Sequence, residues 1–119
     1  MRLTGSKTEQ EIRDQLIISK QVLFNGQERR RLLELLKNKY PKMRTAYIVH
    51  WIPEQGEDIY DVLVDDNIIA KIELDRHNDK VEPIVESKSI LQYVQGLSKL
   101  NQIKIAIALD LAKKDLGVK

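Results

Sequence analysis

The chain has 119 residues, 42% of them hydrophobic and 32% charged, with a formal net charge of +2. That length supports one domain with a modest core, and the composition is that of an ordinary globular protein. The sequence has no cysteine, which excludes disulfides, thiolate metal sites and a thiol nucleophile.

The first predicted element is a helix over residues 7–24. Thr8 and Glu11 have the spacing of a capping box, as do Ser6 and Glu9 two residues earlier. Ile12, Leu16, Ser19 and Leu23 recur at helical spacing, and Asn25-Gly26 supplies a stop, since both residues accept left-handed backbone angles. Asn25 and Glu28 form a further capping box, so a second helix is expected over 27–39, closed by Pro41. Helices joined by so little chain should pack as a hairpin.

Four strands follow, over 43–53, 58–65, 68–75 and 80–86. The first is rich in β-branched and aromatic residues, and both of its parities are largely apolar. It therefore reads as a central strand, ended by Pro53. Gly56 and Asp65-Asp66-Asn67 mark turns. The third strand alternates Ile68, Ala70, Ile72 and Leu74 with Ile69, Lys71, Glu73 and Asp75, which predicts one buried and one wet face. Pro83 demotes the fourth to an edge.

Ser89 with Gln92 starts a short helix over 90–95, and Ser98 caps a last one over 99–116 with a stripe of Leu100, Ile103, Ile107 and Leu111. The isoleucines and leucines of 103–111 also alternate with period two, but length and alanine content favour helix. The expected fold is therefore α+β: helix pair, four-stranded antiparallel meander, helix pair, as a two-layer sandwich in a single domain over 1–119.

Charge is segregated along the chain. Residues 1–42 carry a net +5, residues 43–86 a net −7 and residues 87–119 a net +4. Of the many carboxylates in the meander, Asp61, Asp65, Glu73 and Asp75 share the predicted outward parity, and Asp58 lies near them. Like charges facing one another destabilise a sheet, so Asp58, Asp61, Asp65, Glu73 and Asp75 are read as the docking face for a basic protein partner. Arg29, Arg30 and Arg31, at the start of the second helix, are the corresponding anion or nucleic-acid candidate. His50 beside Trp51 reads as a packed, hydrogen-bonded strand residue.

No Gly-rich phosphate loop, calcium loop or nucleophile turn occurs, and neither a cofactor nor a metal is expected. The placement of Asp61, Asp65 and Glu73-Leu74-Asp75 on consecutive strands resembles a restriction-type nuclease core, which implies metal-dependent phosphodiester cleavage. That pattern has Lys two residues after the acid, where this chain has Asp75. No stretch approaches the roughly 20 apolar residues needed to span a bilayer, and the opening residues lack the apolar run of a signal peptide. The resulting expectation is a non-catalytic cytoplasmic binding module of immunity, inhibitor or regulatory type, with a nucleic-acid binder and a degenerate nuclease as alternatives. Ile48 and Ile52 would serve a homodimer contact through the first strand.

Overall fold

The computed structural model describes residue 3 and residues 5–117, and its architecture is the expected α+β arrangement: two helices, a four-stranded antiparallel sheet, two helices. Helix α1 spans Lys7–Asn25. Its capping box is the earlier of the two candidates: the Glu9 amide donates to Ser6 Oγ at 3.2 Å and the Ser6 amide to Glu9 Oε2 at 3.4 Å. The stop differs from expectation. Gly26 is extended (φ −85°, ψ 154°), not left-handed. Glycine is needed there for space, because a Cβ would lie 2.7 Å from the Val22 carbonyl oxygen.

Since α1 runs through Asn25, that residue cannot open the next helix. Helix α2 spans Arg30–Lys39 and starts at Arg29 with no side-chain cap. The proposed Asn25–Glu28 box is therefore not formed.

Strands β1 (Ala46–Glu54), β2 (Glu57–Val64), β3 (Ile68–Asp75) and β4 (Ile84–Ser89) pair in the order β1-β2-β3-β4. β1 is thus an edge, not a centre. Its mixed parity arises because α1 lies along it, and Ser19 Oγ accepts the Ile48 amide at 3.2 Å. Pro53 does not end β1, since an edge strand has only one neighbour and tolerates a missing N–H. β4 begins only after Pro83 and runs three residues beyond 86.

β1 and β2 pair Ile48 with Val62 but His50 with Asp61, so Val49 is an extra residue in β1. Such a bulge inverts the facing of all later residues of its strand. His50 and Ile52 thereby join the face of Asp61, and Trp51 joins the face of Tyr60.

Apolar residues are buried on both faces of the sheet. Tyr47, Val49, Leu63 and Ile69 pack with Leu16 of α1 and with Ile105, Ala108 and Leu111 of the last helix. Tyr60, Val62, Val64, Ala70, Ile72 and Leu74 pack with Leu23, Leu32 and Leu36. The outward parity of β3 is consequently not the wet face expected, because Ile69 is buried. Charged residues on that parity reach water only beyond the apolar patch.

Helix α3 (Ile90–Val94) carries the predicted Ser89–Gln92 box, and α4 (Lys99–Leu116) is capped by Ser98 and ends at Gly117 in the left-handed conformation. The 103–111 segment is helical. Its buried face is turned from the predicted stripe: Ile105, Ala108 and Ala112 are inside with Ile107 and Leu111, while Leu100 is 58% exposed. Among the described residues no helix is long and apolar enough to cross a membrane.

Candidate functional site

The five carboxylates expected to form one face have separate surroundings. Asp65 sits in the β2–β3 turn at φ +51°, and its Oδ1 accepts the Arg44 and Thr45 amides at 2.8 and 3.0 Å. Asp75 accepts the His77 and Asn78 amides at 2.9 and 2.8 Å, and those bonds hold its carboxyl below the usual range. Both are turn-builders of the kind Asp commonly supplies. Asp58 faces the other side of the sheet from Asp61, since β2 alternates. It accepts Arg76 Nη2 at 2.8 Å and Trp51 Nε1 at 3.1 Å, and the Arg76 bond is the main cause of its lowered pKa. Glu73 is half-buried on β3. Asp61 is 6% exposed.

The three arginines also diverge. Arg29 lies over the stacked Trp51 and Tyr60 rings, 4.7 and 5.5 Å from their centroids. Arg30 is exposed and reaches Glu34 at 3.7 Å. Arg31 donates to the Asp75 carbonyl at 2.6 Å, tying α2 to the end of β3. Arg29 and Arg31 line one small cleft of about 190 Å³ with Asp58, Asp75 and Arg76, but Arg30 lies apart from it, so the three do not converge on one point.

A different group does. Between the sheet face that carries Asp61 and the α3–α4 end of the molecule lies a cleft of about 350 Å³, whose polar lining includes His50, Asp61, Lys71, Lys88, Gln92, Tyr93, Asn101 and Lys104. Strand register and one helix cap place five of them. The bulge puts His50 on the Asp61 face, at the rim of the cleft. Asp61 and Lys71 are cross-strand partners, so their side chains share a face. Lys88 pairs with Ile69 on the same face. The capping box that starts α3 sets Tyr93 over the sheet, where its hydroxyl donates to Asp61 Oδ2 at 2.7 Å. Burial, and then Asp61, push the Tyr93 phenol far above its ordinary value, so it remains a donor.

The charge pattern is uneven. Lys71 Nζ is 3.6 Å from Asp61 Oδ1, close enough for attraction but beyond hydrogen-bond length. Asp61 Oδ1 is accordingly buried without a hydrogen bond. Lys104 is half-buried, and desolvation lowers its pKa. Neither Lys88 nor Lys104 has a hydrogen-bond or ion-pair partner among the described residues, and His50 is exposed and equally without one. The expectation of a packed, hydrogen-bonded His50 is thus corrected, because the bulge places it at the cleft rim.

Asp61 and Ile52 are the candidates from the sequence that line this cleft. The bulge separates Ile52 from Ile48, which faces the other side of the sheet, so the two do not form one homodimer contact. No sequence pattern marks Lys71, Lys88, Lys104 or Tyr93, and His50 reads there only as a packed strand residue. The only available signal was the net positive charge of residues 87–119, which says nothing of where those lysines point. Among the described residues no three His, Asp or Glu side chains gather as metal donors. No protein-family model matches the chain, and neither a curated protein nor a solved structure does so.

Proposed function

We propose that this protein is a binding module for a negatively charged ligand, held in the cleft between the sheet and the α3–α4 end. The observation that carries this reading is the convergence of Lys71, Lys88 and Lys104 on one concavity, two of them with no counter-ion of their own. Burying ammonium groups without partners is unfavourable, and an anion would relieve it. The acidic docking face for a basic protein has less support, since Asp58, Asp61, Asp65 and Asp75 each already hold a side chain or a turn of this chain. A nucleic-acid surface built on Arg29–Arg31 has less support too, because Arg30 lies apart with Glu34 and the cleft shared by Arg29 and Arg31 is also lined by Glu28, Asp58 and Asp75.

The test is calorimetric titration with inorganic phosphate, in low-salt buffer free of competing anions. Binding to the native chain is expected, with Lys88→Gln and Lys104→Gln each weakening it by about tenfold, the equivalent of one charge-assisted hydrogen bond. Arg30→Gln, away from the cleft, should leave it unchanged. No heat of binding, or equal affinity in the two lysine variants and the native chain, would remove the reading.

A further inference from the structure

We infer that β4 pairs edge to edge with β4 of a second copy of this chain, about a two-fold axis at Ser87 that sets Glu86 of each copy opposite Lys88 of the other. The pairing goes beyond the anion reading and does not rest on it.

The two edges of the sheet differ. Helix α1 lies along β1, where Ser19 accepts the Ile48 amide. β4 is the other edge. The helix that follows it, α3, turns inward over the sheet, where Tyr93 reaches Asp61 on β2. On the opposite face Tyr40 bonds Ser87 side chain to side chain and leaves the backbone free. Ile84, Glu86, Ser87 and Ser89 are exposed. An open edge of this kind presents unpaired amides and carbonyls to any strand that fits.

Symmetry and charge then select one register. Paired residues share a sheet face, whereas neighbours along a strand face opposite ways. A two-fold axis between identical antiparallel strands must therefore pass through a residue. Centred on Glu86 or Lys88, the pairing would oppose two like charges, which destabilises a sheet. Centred on Ile84, Val85 or Ser89, it would engage at most three of the six residues of β4. Centred on Ser87, it pairs Val85 with Ser89 and brings Glu86 opposite Lys88 twice. Neither Glu86 nor Lys88 has an ion-pair partner in its own chain among the described residues. An edge lysine ordinarily deters pairing, but this strand carries the answering carboxylate two residues away. That self-complementarity favours a second copy over a foreign strand. Lys88 also lines the cleft, so bound phosphate and Glu86 of the second copy would compete for it.

Sedimentation over a concentration series, in phosphate-free buffer, should show a monomer–dimer equilibrium. Glu86→Lys and Lys88→Glu should each weaken the dimer about tenfold or more, since two attractive pairs become repulsive. Combining the two substitutions restores opposite charges and should return affinity to within about threefold of the native chain. Because the chain has no cysteine, Ser87→Cys introduces one thiol per copy. Directly opposed Cα atoms lie about 4.5–5.5 Å apart, within the roughly 4.4–6.8 Å that a disulfide spans, so mild oxidation should link the copies. Val85→Cys should not link, because its two thiols would be about 14 Å apart along the strands. A native chain that stays monomeric throughout would overturn the inference. Charge reversals without effect, or linking in Val85→Cys but not in Ser87→Cys, would overturn this pairing.

Discussion

Asp115 shows how much one side chain near the end of α4 contributes to the fold. It accepts Thr45 Oγ1 at 2.7 Å and Lys20 Nζ at 2.9 Å, and the Tyr47 hydroxyl as well. Thr45 and Tyr47 are both buried, so Asp115→Ala would strand two hydroxyls away from water. A cost of about 1–3 kcal/mol is expected from that loss, measurable by urea denaturation. The pH dependence follows from the same contacts. Burial works to raise the Asp115 carboxyl, but the bonds from Tyr47, Lys20 and Thr45 outweigh it and hold the group below its ordinary 3.8. A carboxyl depressed in the folded state contributes stability above its unfolded value and loses it as pH falls through the folded one. Asp110, whose pKa is lowered chiefly by Arg13, acts in the same direction. Stability should therefore decline as the pH drops below about 4, and Asp115→Asn should flatten that decline. An unchanged acid limb in the variant would contradict the assignment. On the opposite sheet face Arg29→Ala, which removes the guanidinium from above Trp51 and Tyr60, should cost about 0.5–2 kcal/mol and alter Trp51 fluorescence.

At the scale of elements, α1 both packs on the sheet and closes its exposed edge. Ser19 Oγ donates to the Leu16 carbonyl at 2.7 Å and accepts the Ile48 amide. Ser19→Ala should cost about 1 kcal/mol and should raise hydrogen exchange at Ile48 far more than at Val62. Equal protection at both amides in the variant would show that α1 does not guard the edge. The Ser98 cap of α4, whose Oγ accepts the Asn101 amide at 3.2 Å, is a simpler case. Ser98→Ala should cost about 1 kcal/mol. Elements of this kind were legible in the sequence because their causes are local. Ser89 and Gln92, Ser98, Gly117 and the buried parity of β3 (Ala70, Ile72, Leu74) each encode a boundary or a face within a few residues. The bulge at Val49 was not legible. Both parities of β1 are apolar, so no pattern marked where the facing inverts, and the burial of each residue depends on a helix some thirty positions upstream. Pro53 misled for the same reason, since its meaning depends on whether β1 is an edge.

Across the whole molecule, the sequence is informative about charge totals and silent about charge direction. The net −7 of residues 43–86 suggested an open acidic face, yet Asp65 and Asp75 build turns, Asp58 holds Arg76, and Asp61 is covered by Tyr93. The three consecutive arginines suggested an anion site, yet they point to an aromatic pair, a neighbouring glutamate and a backbone carbonyl. What gathers positive charge is tertiary: Lys71 from β3, Lys88 from β4 and Lys104 from α4, spaced far apart in the chain, meet where α3 and α4 return over the sheet. Nuclear magnetic resonance mapping of inorganic phosphate on the isotopically labelled chain tests that convergence most directly. Saturable shifts are expected at His50, Lys71, Lys88, Asn101 and Lys104, with the amides of Arg29, Arg30 and Arg31 unmoved. Shifts confined to the arginine segment, or spread without saturation over all surface lysines, would contradict it.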